Sequence, residues 1–343
     1  MGTIEAVPAE YPPEITGYAE LWIVSPGEKV DIKVSCTEPE YSYGTVRVIQ
    51  GVDLPHSPKR GFEQVTAIAT WMSKGRFQVA RSGSYALIRE WIHLPIIDGF
   101  DVSLSFQPHI AGSGTHRQQR IISTLDVPLK SGFAVLINSE GLIEIWVGTS
   151  GTVSALQTNF APSYKRWARL QLSFPASSAV SISLDPIPYV AEKRHRLRPQ
   201  SVLALAGSYA EAPTKESSRV TNFFNGRIDS PMIKSLKTCT LVQYDFGCNI
   251  PEDTILDISG RGIMEFWSNA PARGVRGHNW GGTEVDWTEA RYGYGAIHFH
   301  EDDLGDAAWE TDLTIQLPTT ARSGIYAVEV LATASQRASL YPI

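Results

Sequence analysis

Residues 296–303 read AIHFHEDD, two histidines one residue apart followed at once by three acidic side chains. Imidazole beside carboxylate is the pairing that fixes a tautomer and tunes a proton acceptor toward neutral pH. Side chains alternate faces along a strand, so His298, His300 and Asp302 share one face and Phe299 and Glu301 the other. Imidazoles two residues apart on a strand are separated by about 7 Å, close enough to share a metal ion with one further ligand. Three readings stand side by side. In the structural one, Asp302, Asp303 and Asp306 anchor a turn through backbone N–H groups, and the histidines hydrogen-bond to Asn279, Trp280 or a domain interface. In the acid–base one, His298, His300 and Asp302 act together with His278, supplied by GHNW at 277–280. In the metal one, His298, His300 and Asp302 form a set of two imidazoles and a carboxylate. The acid–base reading is taken as the functional expectation, with the metal set as its alternative.

Aromatic residues crowd the same stretch: Trp267, Trp280, Trp287, Tyr292, Tyr294 and Trp309. Aromatics in a β-protein mostly fill the core. Next to His and Asp they could instead line an apolar pocket with a few polar groups, the usual form of a small-molecule site. On that reading Trp280, Trp287, Tyr292, Tyr294 and Trp309 contact substrate. Gly281-Gly282 and Gly293/Gly295 allow tight backbone folding around them.

The elements that must position these residues are strands. KVDIKVSC sets Val30, Ile32, Val34 and Cys36 against Asp31, Lys33 and Ser35, and GFDVSLSFQP alternates Phe100, Val102, Leu104 and Phe106. RWARLQLSFP, AVSISLDP, SVLALAG and GLIEIWVGT repeat the pattern, punctuated by Pro, Gly, Ser and Asn. Helical periodicity is scarce, with only a few short helical turns expected, for example around 303–308. The fold class is therefore all-β, built of packed antiparallel sheets.

The chain changes character near residues 68 and 275. GYAELWIVSPGEKVDIKVSC near the start and WETDLTIQLPTTARSGIYAVEVLA near the end share a strand–turn–strand grammar, and each alone has too few strands to close a sandwich. The expected organisation is an immunoglobulin-like β-sandwich formed by 1–67 and 276–343, interrupted by a second sandwich at 68–275. Within the insert, FFNGRIDSPMI (223–233) resembles the closing strand of laminin-G-like, concanavalin-type sandwiches, with Asn225-Gly226 as a turn dipeptide. Ser139-Glu140-Gly141 reads as a hairpin tip. The expected site is the cleft between the two sandwiches.

Bulk properties narrow the function. The chain has 343 residues, 43% of them apolar and 19% charged, with a net charge of −6. That balance excludes a disordered chain and speaks against nucleic acid or an anionic membrane as partner. KRHRLR (193–198) reads as a solvated loop, and GSGTH (112–116) as a flexible turn with no phosphate-cradling role. No apolar run is long enough to span a bilayer. Three cysteines, with no CxxC, are no disulfide framework. A cytoplasmic protein is expected. No nucleotide, nucleophile-elbow or HExxH motif occurs, so no cofactor is expected.

The run from Arg273 to Val330 is similar to the N-terminal half of the large subunit of the N,N-dimethylformamidase family. GHNW, GAIHFHEDDLGDAAWE (295–310) and SGIYAVEV (323–330) carry the resemblance. It implies a chain from an amide-hydrolysing family whose mononuclear iron site, built from Tyr, His and Glu, lies in a later α/β half. That half would begin where this sequence reaches LYPI, so no iron ligand is carried over. The resulting expectation is a stand-alone enzyme or ligand-binding protein, doing cofactor-free acid–base chemistry such as elimination, isomerisation or cyclisation on a small molecule. The alternatives are a carbohydrate- or partner-binding module and a subunit of a split iron-dependent amidase. The expected partners are a small-molecule ligand and either a second copy of the chain or a separate catalytic chain.

Overall fold

Hydrogen bonding in the computed structural model joins the two ends of the sequence. Lys29–Cys36 pairs antiparallel with Leu313–Gln316, and Glu40–Gln50 pairs with Ile325–Ala332. The structure describes residues 14–80, 82–96, 98–110, 117–126, 128–149, 151–176, 179–184, 187–194, 202–210, 219–237, 239–252, 254–263, 265–307, 309–332 and 338–343. The expected loop at 193–198 and turn at 112–116 fall largely outside them. Two compact units result: one from the two ends, up to Arg81 and from Asp306, and one from Ser82–Gly305. Every assigned strand pair is antiparallel, and the only helical elements among the described residues are two short 3-10 turns, Arg89–His93 and Arg291–Tyr294. Residues 303–307, where a helical turn was expected, contain none.

The first unit has a three-stranded sheet (Ile15–Ala19, Lys29–Cys36, Leu313–Gln316). Its second sheet has five strands: Ala338–Pro342, Ile325–Ala332, Glu40–Gln50, Gly61–Gln64 and Trp71–Lys74. Val30, Ile32, Val34 and Cys36 alternate into the core between them, as the period-two pattern requires. Their polar neighbours are less exposed than alternation alone implies. Ser35 is buried because Gln78 N donates to its Oγ, and Cys36 N donates to Arg76 O. Asp312 ties the same segment down by accepting from Val34 N, Gln78 Nε2 and Arg76 Nη2.

The second unit packs two eight-stranded sheets around one core. One sheet centres on Gly132–Ile137 and Gln119–Ser123. The other runs through Ala168–Pro175, Gly99–Pro108, Gly226–Ser235, Ala296–Phe299 and Ala272–Val275, with Thr240–Gln243 also paired to Gly226–Ser235. Phe100, Phe133 and Phe174 meet between the sheets at ring separations of 4.7–6.0 Å. Trp91, on the 3-10 turn Arg89–His93, packs edge-on to Phe100. The hairpin at 138–141 forms as expected. Asn138 Oδ1 accepts from Glu140 N and Leu142 N, and Gly141 takes φ +85°.

Two sequence expectations change here. The stretch 276–305, grouped by sequence with the outer parts, lies in the second unit, because Ala296–Phe299 is hydrogen-bonded to Gly226–Ser235. Likewise Trp71–Lys74 pairs with Glu40–Gln50 in the first unit. Asn225-Gly226 does not make a hairpin turn. Asn225 is buried, receiving Glu301 N on Oδ1 and donating its own N–H to Gln119 Oε1, and Gly226 starts a strand. Glycine is required there because a Cβ would lie 2.3 Å from Gln107 O.

Phe133 is fully buried between both sheets. Phe133→Ala is expected to destabilise the protein by about 4 kcal/mol, read as a lower denaturant midpoint at unchanged m-value. A loss under 1 kcal/mol would show that the facing sheets do not close on this ring.

Candidate functional site

The sheet carrying Gly226–Ser235 buries Ile228 and Ile233 in the core and presents Arg227, Asp229 and Met232 on its other face. Both faces stay in phase because the strand carries a β-bulge. Asp229 is opposite Ser105 and Met232 opposite Ser103, so one extra residue is accommodated at Ser230-Pro231. Ser230 adopts φ +49° there, and Pro231, which has no N–H to give a ladder, accepts from Tyr244 N through its carbonyl. The registers set cross-strand rows on the outer face. Arg169, Ser105, Asp229 and Ala296 form one, and Gln107, Arg227 and His298 the next.

Asp229 is the pivot of the first row. Its side chain is only 3% exposed. One oxygen accepts His278 N at 2.9 Å and His278 Nδ1 at 2.6 Å; the other accepts Ser230 Oγ at 2.8 Å. The loop holding His278 comes close enough only because Gly277 has no side chain: a Cβ would sit 2.5 Å from the same carboxylate oxygen. The Asp229 hydrogen bond, opposed by partial burial, raises the basicity of His278 above that of ordinary histidine. With Nδ1 committed to the carboxylate, Nε2 is the ring atom left to exchange a proton or donate to a ligand.

His278 borders a groove of about 210 Å³ that Ser103, Ser105, Arg169, Ser230 and Gln243 also line. The Trp167 and His278 rings meet in a T-shaped arrangement at a centroid distance of 6.2 Å. The lining is rich in donors, with one exposed guanidinium and one imidazole of raised basicity.

The other expected site histidines occupy a different environment. The ring of His298 sits 4.6 Å from His109 and 6.2 Å from His300, across the ladder from Arg227. Burial, then Arg227, lowers the basicity of His298; burial, then His298 and Arg227, drives His109 down to about 4. His300 serves the backbone. Its N–H donates to Ser84 Oγ and Asp303 Oδ2, its carbonyl accepts Ser84 N, and its Nδ1 accepts Asp302 N. Asp303, also bonded by Ser84 Oγ at 2.6 Å, anchors this turn, as the structural reading anticipated. The Asp302 side chain is 81% exposed. His278 is thus bonded to Asp229, while His298, His300 and Asp302 form a separate group with His109. Among the described residues no group of three or more His, Cys, Asp or Glu side chains is arranged to hold a metal ion, the set His298, His300 and Asp302 included.

The aromatic set fastens loops and does not line this groove. Trp280 Nε1 and Tyr294 OH both donate to Glu284 O, and Tyr292 OH donates to Glu284 Oε1. Arg276 stacks its guanidinium 3.9 Å from the centre of the Trp280 ring. Trp287 packs on Gly274, where the absent side chain leaves room for it: a Cβ would lie 2.7 Å from the Trp287 ring. Trp309 lies in the first unit against Tyr18. The residues that sequence reasoning missed are Asp229, Arg169, Arg227 and His109. Alternation along RID placed Arg227 and Asp229 on one face. Their partners, more than 50 residues away for Arg169 and His109, had no local signal.

Comparison with known proteins finds similarity to N,N-dimethylformamidase beta subunits. Residues 272–343 match the protein-family model described as N,N-dimethylformamidase beta subunit-like, C-terminal. The chain is 26% identical over 363 residues to the N,N-dimethylformamidase beta subunit of Paracoccus aminophilus. It is 25% identical over 370 residues to that of an Alcaligenes species. Each alignment takes in 92% of this chain and 47% of the relative, so the chain spans about half the length of the curated relatives it matches. Among solved structures, mouse laminin alpha1 domains LG4-5 align at a TM-score of 0.35 and 12% identity, over 49% of this chain and 47% of that one. The Limulus polyphemus SAP-like pentraxin aligns at 0.33 and 8%, over 57% and 76%. Nothing about a ligand follows from likenesses at that level. The matches give no support to the expected elimination, isomerisation or cyclisation, since the aligned relatives are named for an amidase. No helix among the described residues is long and apolar enough to cross a membrane.

Two predictions follow from the geometry. Asp229→Ala strands two His278 donors and a serine hydroxyl, and is expected to cost about 3 kcal/mol in chemical denaturation. Asp229→Asn, which keeps an acceptor, should cost less and return His278 toward ordinary basicity by NMR titration; an unchanged His278 titration in Asp229→Asn would refute the pairing. The sign for His109 is opposite to that for His278. With the folded value lowered to about 4, the unfolded chain takes up the proton first, so stability falls as pH drops from about 6.5 toward 4. His109→Gln should therefore lose less melting temperature than wild type between pH 7 and pH 4.5, and an equal loss would exclude His109 as a source.

Proposed function

We propose that this chain is the β-sandwich half of a dimethylformamidase-related amide hydrolase and works there as a subunit, beside the polypeptide that cleaves the amide. The observation that carries this reading is the alignment of 92% of the chain with 47% of each of two proteins named as beta subunits. On this reading the chain corresponds to the N-terminal half of such a subunit. Its residues 272–343 enter the region that the family model describes as C-terminal. The substrate class is a small dialkyl amide, from the name of the relatives.

His278 supports a second role within the same assembly. A buried carboxylate 2.6 Å from Nδ1 orients the ring and raises its basicity, the arrangement that serves proton transfer. One preparation tests both readings. The chain is tagged in its source cells, the native complex is isolated, and release of dimethylamine from N,N-dimethylformamide is followed for wild type and His278→Gln. The subunit reading expects activity to travel with a complex containing a second polypeptide or polypeptide region, and kcat to be unchanged in His278→Gln. A fall of about 100-fold or more with assembly intact assigns His278 to acid–base work. Recovery of the chain solely as an inactive, partnerless species overturns the subunit reading.

A further inference from the structure

We propose that the groove beside His278 binds a sugar acid, a hydroxylated carboxylic acid about one six-membered ring in size. Its carboxylate rests over Ser105, between Arg169 and His278. The inference goes beyond the subunit reading, which assigns no ligand to this surface, and stands apart from it.

Position comes from the register. Arg169, Ser105 and Asp229 are consecutive members of one cross-strand row. At about 4.8 Å between strands, Arg169 and Asp229 lie roughly 10 Å apart at the backbone. His278 is fixed on Asp229, so a planar anion above Ser105 is within reach of a guanidinium on one side and an imidazole on the other. Arginine's fork matches a carboxylate with two parallel hydrogen bonds.

Charge points the same way. The Asp229 carboxylate is already taken by His278 and Ser230. Among the described residues no carboxylate lies within ion-pairing distance of Arg169, which is exposed. The row therefore holds one guanidinium without a counter-charge, and a monoanion supplies it.

The hydrogen-bonding pattern selects among anions. Ser230 spends its hydrogen on Asp229, so toward the groove its oxygen can only accept. Gln243 offers both donor and acceptor. Ser105, 5% exposed and lining the groove, has no side-chain hydrogen-bond partner among the described residues. A sulfate brings acceptors alone and a phosphate at most one or two acidic hydroxyls clustered on the charged centre, whereas a polyhydroxylated acid brings donors set apart from its carboxylate for Ser230 and Gln243 as well. Met232, also in the lining, gives apolar surface for a C–H face of a ring. Size agrees: an engineered cavity of about 150 Å³ takes up benzene, and this groove offers about 210 Å³.

The test is calorimetric titration of the full chain with D-glucuronate, D-galacturonate and D-gluconate, and with D-glucose, acetate and phosphate as controls. Saturable binding of at least one of the three acids is expected, with none of the controls binding as tightly. Arg169→Gln is expected to weaken that binding at least tenfold at unchanged melting temperature, and Arg169→Lys, which keeps charge but loses the fork, by several-fold. Affinity should fall as pH rises and His278, faced by Asp229 and Arg169, loses its proton. Failure of all three acids to bind, equal binding of glucose or phosphate, or wild-type affinity in both Arg169 variants overturns the proposal. None of these outcomes bears on whether the chain co-purifies with a catalytic partner.

Discussion

A carboxylate held out of water on the outer face of a β-sheet organises this site. Asp229 is almost fully buried although its strand position faces away from the core, because the Gly277–Trp280 loop folds over it. An ionised group so placed is tolerated only when its lone pairs are matched. Two groups of His278 and the hydroxyl of Ser230 do so. The bulge at Ser230-Pro231 fixes where the carboxylate emerges, and the bare Cα of Gly277 lets the loop close on it. Strand, bulge, glycine and imidazole thus form one interdependent set.

The same sheet face gives histidines opposite characters. His278 meets a carboxylate and becomes a stronger base. His298, across the ladder from Arg227, and His109 are half-buried and become weaker ones. The difference lies in burial, which dominates at His298 and His109, against the Asp229 hydrogen bond, which outweighs it at His278. Protonation of His109 or His298 would add positive charge beside a guanidinium in a half-buried setting, so these rings remain neutral spacers near pH 7. His278 is the ring whose environment favours carrying a proton.

The region that matches the dimethylformamidase beta subunit family model, 272–343, contains the His278 loop, the His298 strand and the strands that return to the first unit. The first unit cannot be assembled without it. Leu313–Gln316 and Ile325–Ala332 each complete a sheet begun nearly 300 residues earlier. Long-range pairing of this kind is why the two ends of the sequence carry related strand grammar.

Period-two alternation determined that this is an all-β protein and which apolar residues of Lys29–Cys36 and Gly99–Pro108 enter a core, and the turn residues Ser139-Glu140-Gly141 marked a hairpin. Those properties depend on the backbone pleat and the turn, which are local. Sequence also singled out His278, His298, His300 and the aspartates after them, because side-chain chemistry is visible in one dimension. Their partners were decided by tertiary structure alone. Asp229 is 49 residues from His278, and His109 is almost 190 from His298; a loop closing over the sheet brings the first pair together, and the strands Gly99–Pro108 and Ala296–Phe299 on either side of Gly226–Ser235 the second. The pattern HxHxD suggested one cooperative set, yet the fold sent Asp302 to solvent, gave His300 to a backbone turn and seated His278 on an acid from another strand. Alternation fixes which face a side chain takes, but the antiparallel neighbour across 4.8 Å fixes what it meets there.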